Sequence, residues 1–94
     1  MNNINNSQTR SIKITDPSGL HLRPAAEIVK ICKNGKSDVQ ISCRDCPEAD
    51  ACSILSLLTL AAKYGEDITV KAQGDDANDV IEKISNLFAG GAGI

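Results

Sequence analysis

The chemistry of this sequence centres on its single histidine, His21, which is followed closely by Arg23. A neutral imidazole nitrogen can accept a phosphoryl group, and a guanidinium can hold the oxygens of that group through charge-assisted hydrogen bonds. A helix beginning at Leu22 would add the backbone N–H groups of Leu22 and Arg23, together with a helix end that attracts anions. These residue types at this spacing predict phosphoryl transfer at His21. The plainer alternative is a capping or surface histidine without chemistry.

The element that positions His21 is predicted to be a helix from Leu22 to Lys33. Its buried face is indicated by apolar residues at helical spacing, namely Ala25, Ile28, Val29 and Cys32. Pro24 suits the first helical turn, and Gly35 predicts a left-handed cap at the helix end. His21 is therefore expected at the N-cap, where the positive helix end opposes protonation of the ring and keeps the ring neutral.

The rest of the chain predicts a small α+β domain. Alternating apolar residues indicate strands at 11–16, 37–43 and 66–73, with a weaker strand at 48–50. Helices are predicted at 53–63 and after a cap at Asp75 or Asp76, the last one burying Ala77, Val80, Ile81, Ile84 and Phe88. The order β-α-β-β-α-β-α has polar residues on one face of the strands, so the helices should cover the other face. Residues 1–10 are predicted to be a flexible lead-in, 11–89 the domain and 90–94 a flexible Gly-rich tail.

The helix predicted at 53–63 carries more apolar residues than one buried face requires. We interpret Ile54, Leu55 and Leu58 as facing outward towards a partner protein. The alternative is a short helix that is buried on most sides.

Bulk composition excludes several classes of function. The chain has 94 residues and a net charge of −2 without a basic run, which argues against nucleic acid as a partner. It has no apolar stretch near the roughly 20 residues that span a bilayer, and its polar start lacks the pattern of a signal peptide. The cytoplasm is therefore the expected compartment. With no second histidine and no Gly-rich phosphate loop, the chain cannot complete a kinase or hydrolase site by itself.

The four cysteines, Cys32, Cys43, Cys46 and Cys52, could form disulfides, bind a metal or remain reduced. An expected cytoplasmic location favours reduced, structural thiols over disulfides. The spacing of Cys43 and Cys46 is that of a redox or zinc motif. However, no helix start follows it directly, as a thioredoxin-like motif would require. A metal or redox function for Cys43 and Cys46 stays open as an alternative.

Two stretches of the sequence resemble the HPr family, the histidine phosphocarriers of the bacterial phosphoenolpyruvate-dependent sugar phosphotransferase system. The first is Gly19-Leu20-His21-Leu22-Arg23-Pro24-Ala25-Ala26; the second is Ser53-Ile54-Leu55-Ser56-Leu57-Leu58-Thr59-Leu60, followed by 68–76. The resemblance covers about residues 11–89. It implies an open-faced β-sandwich, in which a four-stranded antiparallel sheet is covered on one face by three helices.

The resemblance also implies a mechanism and partners. His21 would accept the phosphoryl group on Nδ1 from enzyme I and pass it to enzyme IIA components. Arg23 and the amides of Leu22 and Arg23 would hold the phosphoryl group. The partners would dock on Leu20, Ile54, Leu55 and Leu58. The expected protein is a cytoplasmic monomer that is not itself an enzyme, with no cofactor or metal beyond the covalent phosphate.

Ser53 matches the position that an HPr serine kinase phosphorylates in some family members. Its independent interpretation is the N-cap of the second helix. The sequence departs from the family here, since Cys52 replaces the usual Lys. A second functional hypothesis is an HPr-like regulatory module, such as a nitrogen-branch paralogue, whose phosphorylation state is read by other proteins.

Overall fold

The computed structural model describes residues 7–44 and 47–89, which form four strands and three helices. In chain order they are β1 (Ser7–Lys13), α1 (Leu22–Asn34), β2 (Asp38–Ser42), β3 (Ala49–Asp50), α2 (Ile54–Leu58), β4 (Asp67–Gln73) and α3 (Ala77–Ala89). The predicted order β-α-β-β-α-β-α is confirmed. Within the described ranges, none of the helices is long and apolar enough to cross a membrane.

The strands form one antiparallel sheet in the order β1-β4-β2-β3, so β1 and β3 are its edges. In β4 the residues alternate between the core and the outer face, with Ile68, Val70 and Ala72 buried as predicted. The helices lie on the buried face, where α3 packs against β1 and β4 while α1 packs against both other helices. The α+β open-faced sandwich is therefore confirmed.

The core beneath the helices is almost entirely aliphatic, because the sequence has only one Phe and one Tyr. The five residues predicted for the buried face of the last helix are buried in α3. The four predicted for the first helix are buried in α1, together with Pro24 in its first turn. Amphipathic helices that cover one sheet face in this way remove apolar surface from water, which is the main stabilisation of a domain of this size.

Both ends of β1 and the cap of α1 differ from the prediction. β1 begins at Ser7 rather than Ser11 and ends at Lys13, so residues 7–10 pair with β4 instead of belonging to a flexible lead-in. Residues 1–6 and 90–94 lie outside the described residues. At the end of α1, Gly35 has an extended backbone rather than the predicted left-handed cap, with φ −97°. A Cβ at Gly35 would lie 2.9 Å from Cγ2 of Val80, so a larger residue there would require Val80 to shift.

The second helix is much shorter than predicted, because α2 ends at Leu58 instead of Lys63. Thr59 Oγ1 donates a hydrogen bond to the Ser56 carbonyl, and Ala61 then adopts a positive φ of 51°. The turn brings the Ala62 carbonyl to the N–H of Leu20, at 2.8 Å. A tertiary contact thus overrides a local pattern that is helical throughout.

The prediction of four reduced thiols is also wrong, since Cys32 and Cys52 form a disulfide with their Cα atoms 5.6 Å apart. The sequence shows Cys32 on the buried face of a helix but does not show that this position meets the segment before α2. Cys43 is a free cysteine, and Cys46 lies outside the described residues. In the described part of the chain, no group of three or more His, Cys, Asp or Glu side chains could hold a metal ion.

Candidate functional site

A tight turn between β1 and α1 builds the site around Asp16, whose side chain is buried. The Asp16 Oδ1 accepts the N–H of Ser18 at 2.8 Å, and the Asp16 carbonyl accepts the N–H of Gly19 at 2.8 Å. Gly19 has a φ of +76°, and a Cβ at this position would lie 2.6 Å from the Ala62 carbonyl oxygen. Only glycine fits both the backbone angle and the close approach.

His21 occupies the N-cap of α1, as predicted, with φ −103° and ψ −167°. Its carbonyl accepts the N–H of Ala25 at 3.1 Å, which starts the helix. The imidazole does not cap the helix; its Nε2 lies 3.1 Å from Asp16 Oδ2. Because an ionised carboxylate can only accept hydrogen bonds, Nε2 carries a proton, and a ring with a single proton then has its lone pair on Nδ1. The His21 side chain is 39% exposed, so partners can reach it.

The pKa of Asp16 lies below its ordinary value of 3.8. The largest cause is the hydrogen bond from the Ser18 N–H, which lowers the pKa. The hydrogen bond and charge of His21 and the charge of Arg23 lower it further, whereas burial of the carboxyl raises it. Asp16 is therefore ionised at neutral pH and remains an acceptor for His21 Nε2–H. The Asp-Pro-Ser-Gly run indicates a turn of this kind, but our sequence analysis missed Asp16 as a site residue. No local pattern shows that its second oxygen reaches the ring.

Arg23 lies on the exposed side of the first turn of α1, close enough to Asp16 for its charge to lower the pKa of that carboxyl. Leu22 and Arg23 are the first two residues of the helix. The N–H groups of a first helical turn have no acceptor within the helix, so they point towards the space before it. His21, Arg23 and the start of α1 thus lie at the same end of the helix, and the role predicted for them stays a prediction.

The exposed apolar residues near His21 differ in part from the prediction. Leu55 is 78% exposed, while Ile54 and Leu58 are only partly buried against the core. The prediction that Leu20 is a docking residue is wrong, because Leu20 is 4% exposed and packs in the core. The side chain of Leu22 was not predicted as part of the docking surface, and it is 61% exposed. Its place outside the buried stripe of α1 is the signal that could have found it.

The segment before α2 places Ser53 as its N-cap, as predicted, since the Ser53 hydroxyl oxygen accepts the N–H of Ser56 at 3.2 Å. Two connections flank α2. The Cys32–Cys52 disulfide ties the residue before Ser53 to α1, and beyond the helix the Ala62 carbonyl accepts the N–H of Leu20. Because Leu20 precedes α1 and Cys32 lies near its end, the chain from Cys52 to Ala62 runs from the end of α1 back to the residue before His21.

A cavity of about 790 Å³ opens beside the end of β2, and His21 does not line it. Its lining comes from residues 42–44 and from described residues between 60 and 69. His21 instead lies on the surface. A surface acceptor suits chemistry whose other reacting group is supplied by a second protein.

Comparisons with known proteins agree with this geometry. A family model described as "PTS HPr component phosphorylation site" matches residues 8–90. The phosphocarrier protein HPr of Chlamydia muridarum is 35% identical over 80 residues, covering 85% of this chain and 76% of the relative. The phosphocarrier protein NPr of Proteus mirabilis is 31% identical, covering 90% and 94% of the two chains. A crystal structure of HPr from Thermoanaerobacter tengcongensis superposes with a TM-score of 0.85 and 28% identity, covering 93% of this chain and 97% of that one.

Proposed function

The chain belongs to the HPr family of phosphocarriers, and from this we propose that His21 accepts a phosphoryl group on Nδ1 from phosphorylated enzyme I and passes it to enzyme IIA components. The observation that carries the proposal is the 3.1 Å contact between His21 Nε2 and Asp16 Oδ2. It holds the proton on Nε2, so Nδ1 presents the lone pair that a phosphoryl acceptor needs.

In the transfer, the Nδ1 lone pair of His21 forms a bond to phosphorus while the bond from phosphorus to the donor breaks. The ring then carries a substituent on Nδ1 and a proton on Nε2, and so gains positive charge. Asp16 remains ionised and stabilises that charge through the Nε2–H bond. Passing the phosphoryl group to an acceptor reverses these steps, and no atom is oxidised or reduced.

Arg23 and the start of α1 supply moderate stabilisation of the phosphoryl oxygens. A helix end contributes about 0.3–1 kcal/mol to an anion, and charge-assisted hydrogen bonds add to that. Moderate binding suits a carrier, because each additional ~1.4 kcal/mol would reduce onward transfer about tenfold. The proposed role therefore needs a site that holds the phosphoryl group without trapping it.

We define the docking face as Leu22, Ile54, Leu55 and Leu58, which enzyme I and the enzyme IIA components would contact in turn. Leu22 and Leu55 present most of their surface to solvent. The Ala62 carbonyl beyond α2 accepts the N–H of Leu20, the residue before His21, so a partner on this face would also reach the imidazole. The proposed carrier acts as a cytoplasmic monomer, is not itself an enzyme and needs no cofactor besides its covalent phosphate.

The direct test incubates the purified protein with phosphoenolpyruvate, Mg²⁺ and enzyme I and measures acid-labile phosphate. We expect one phosphoryl group per chain, carried on His21, and none in a His21→Ala variant. A Cys43→Ala variant is the matched control, because it changes one partly buried side chain whose Sγ donates to the Leu60 carbonyl rather than to His21 or Asp16. The proposal would be overturned if the wild-type protein stays unlabelled in the presence of an enzyme I that does label another HPr.

The second candidate is the regulatory, nitrogen-branch type of module, which the similarity to an NPr protein favours. Both roles use His21 in the same way and differ in their acceptors. Incubating the labelled protein with a sugar-specific enzyme IIA and, separately, a nitrogen-branch enzyme IIA distinguishes them. Faster transfer to the nitrogen-branch acceptor would favour the regulatory role.

We also propose that an HPr serine kinase can phosphorylate Ser53. Support comes from its match to the family position and from its place at the edge of the docking face, just before α2. Added phosphate would put negative charge beside a surface that partners must cover. Acid-stable phosphate after incubation with ATP and the kinase, absent in Ser53→Ala, would support this modification. Its absence in the wild-type protein would contradict it.

A further inference from the structure

The Cys32–Cys52 disulfide joins two regions that the proposed function uses differently. Cys32 is buried on the inner face of α1, the helix that begins at the phosphoryl acceptor. Cys52 is partly exposed and directly precedes Ser53, the N-cap of α2. The bond therefore fastens the start of the docking helix to the helix that carries His21.

We propose that Cys32–Cys52 is a reversible thiol–disulfide site, opened by a thiolate reductant, that controls how firmly α2 is held and so how well the docking face binds partners. The inference deepens the proposed function, and its effect on partners rests on that function. In the cytoplasm proposed for the carrier, protein disulfides are rare and are usually transient or redox-sensing. A disulfide between a buried and a partly exposed cysteine beside the proposed docking face fits this use.

The exchange begins at Cys52, because the buried Cys32 is out of reach. The attacking thiolate bonds to Cys52 Sγ, the Cys32–Cys52 bond breaks, and Cys32 Sγ leaves with the electron pair and takes up a proton. A second thiolate of the reductant then attacks the mixed disulfide and releases Cys52 as a thiolate that is protonated in turn. Overall the chain gains two electrons and two protons, while the reductant becomes a disulfide.

Opening the bond should loosen α2 more than any other element. A helix of five residues is far below the roughly 12–15 residues at which isolated helices become even marginally stable. Leu57 is the only residue of α2 that is fully buried. The hydrogen bond at Cys52 itself is local, from its N–H to Asp50 Oδ1 at 2.9 Å. Just before it, the N–H of the buried Ala51 donates to the Val39 carbonyl at 3.1 Å and ties the chain to the sheet.

The rest of the fold does not depend on the bond to the same degree. α1 keeps a buried face made of four other residues, and α3 and the sheet contain neither cysteine. Beyond α2, the hydrogen bond from Leu20 N–H to the Ala62 carbonyl also remains. Reduction therefore frees α2 at its first turn while its far end stays attached beside the His21 turn.

The first experiment equilibrates the full chain with reduced and oxidised glutathione and, in a second arm, with a thioredoxin-type dithiol protein. Alkylation and intact mass then report the fraction of open bond. We expect reversible opening of the folded protein in at least one arm, which also identifies the class of reductant. A bond that neither reductant opens while the protein stays folded would overturn the inference.

The second experiment compares oxidised and reduced protein by amide hydrogen exchange. Exchange of residues 52–58 should rise by about tenfold or more on reduction, and in the reduced form these residues should exchange faster than β4 and α3. From the 20-residue separation of the cysteines, Tm should fall by roughly 10–20 °C. Equal exchange at residues 52–58 in both forms would overturn the inference.

The third experiment measures transfer from enzyme I to His21 in the two redox forms. A Cys52→Ser variant should behave like the reduced form under all conditions, while Cys43→Ala should retain the redox response. If Cys52→Ser folds poorly, the reduced and alkylated wild-type protein replaces it. Labelling at equal rates in both forms would overturn the inference alone, whereas no labelling in either form would overturn the proposed function.

Discussion

Asp16 and Asp76 are two aspartates with the same local chemistry and different consequences. In each, one carboxylate oxygen accepts a backbone N–H, from Ser18 to Asp16 and from Lys36 to Asp76, both at 2.8 Å. The other oxygen of Asp76 accepts the hydroxyl of Ser37, whereas the other oxygen of Asp16 accepts the His21 ring. Each carboxyl has a pKa below 3.8, caused mainly by Ser18 N–H for Asp16 and by the Ser37 hydroxyl for Asp76.

The difference between them lies in the partner of the second oxygen. A serine hydroxyl can donate or accept by rotating, so the Asp76 contact joins the start of α3 to the segment before β2 and does nothing further. An imidazole that changes its hydrogen-bonding role must move its proton between two nitrogens. The same carboxylate geometry therefore joins two segments beside α3, whereas beside α1 it sets which ring nitrogen of His21 faces the carboxylate.

The largest expected effect comes from Asp16→Asn, which keeps the shape of the side chain. The amide oxygen would accept Ser18 N–H, and the amide NH₂ would then face Nε2 and move the ring proton to Nδ1. Phosphorylation of His21 should slow by at least about 10²-fold, as expected when a positioned group is lost. The rate and the ¹⁵N shifts of the imidazole measure both effects. If the variant is phosphorylated at the wild-type rate and its ring proton stays on Nε2, then Asp16, like Asp76, has only a structural role.

Arg23→Ala should have the next largest effect. Loss of a charge-assisted hydrogen bond to the phosphoryl group should slow transfer roughly tenfold. Arg23 is exposed, so Tm should stay near the wild-type value. Transfer rates and thermal unfolding of the same preparation test the separation of roles, and a large fall in Tm would contradict it.

Asp76→Asn should have a small effect, which sharpens the contrast with Asp16. The amide oxygen can accept Lys36 N–H, and its NH₂ can donate to the rotated Ser37 hydroxyl. We expect Tm to fall by no more than a few degrees and the rate of His21 phosphorylation to stay unchanged. A loss of transfer comparable to that of Asp16→Asn would remove the distinction between the two aspartates.

The smallest effect concerns acid stability. Because each carboxyl has a lower pKa in the folded chain, its stabilising contribution is present above its unfolded value of about 3.8 and is lost as pH falls through the folded pKa. Tm of the wild-type protein should therefore decline in this acidic range, and Asp76→Asn should make the decline shallower. Thermal unfolding from about pH 6 to about pH 2 measures it. An unchanged slope would mean that Asp76 ionisation does not contribute to folding.

The parts of the fold that local patterns determine were predicted well. The five buried residues of α3 follow from helical spacing, and His21 at the start of α1 follows from its neighbours. The parts that depend on contacts between distant segments were not predicted. The end of α2 depends on the contact between Ala62 and Leu20. The backbone at Gly35 depends on the nearby Val80. The Cys32–Cys52 pairing depends on how α1 lies against the segment before α2. Asp16 belongs to both groups. Its turn with Ser18 and Gly19 follows a local sequence pattern, whereas its contact with the His21 imidazole could not be predicted from a local pattern.

The two edges of the sheet bear on how such a carrier behaves in a crowded solution. An exposed strand edge is a template onto which another chain can add, which leads to aggregation. Here β3 has only two residues, and Pro47 lies just before it. The other edge, β1, carries Arg10 and Lys13, which form ion pairs with Glu82 and Asp67. Short and charged edges discourage the addition of a strand from a second copy of the chain, so both edges of this sheet oppose aggregation.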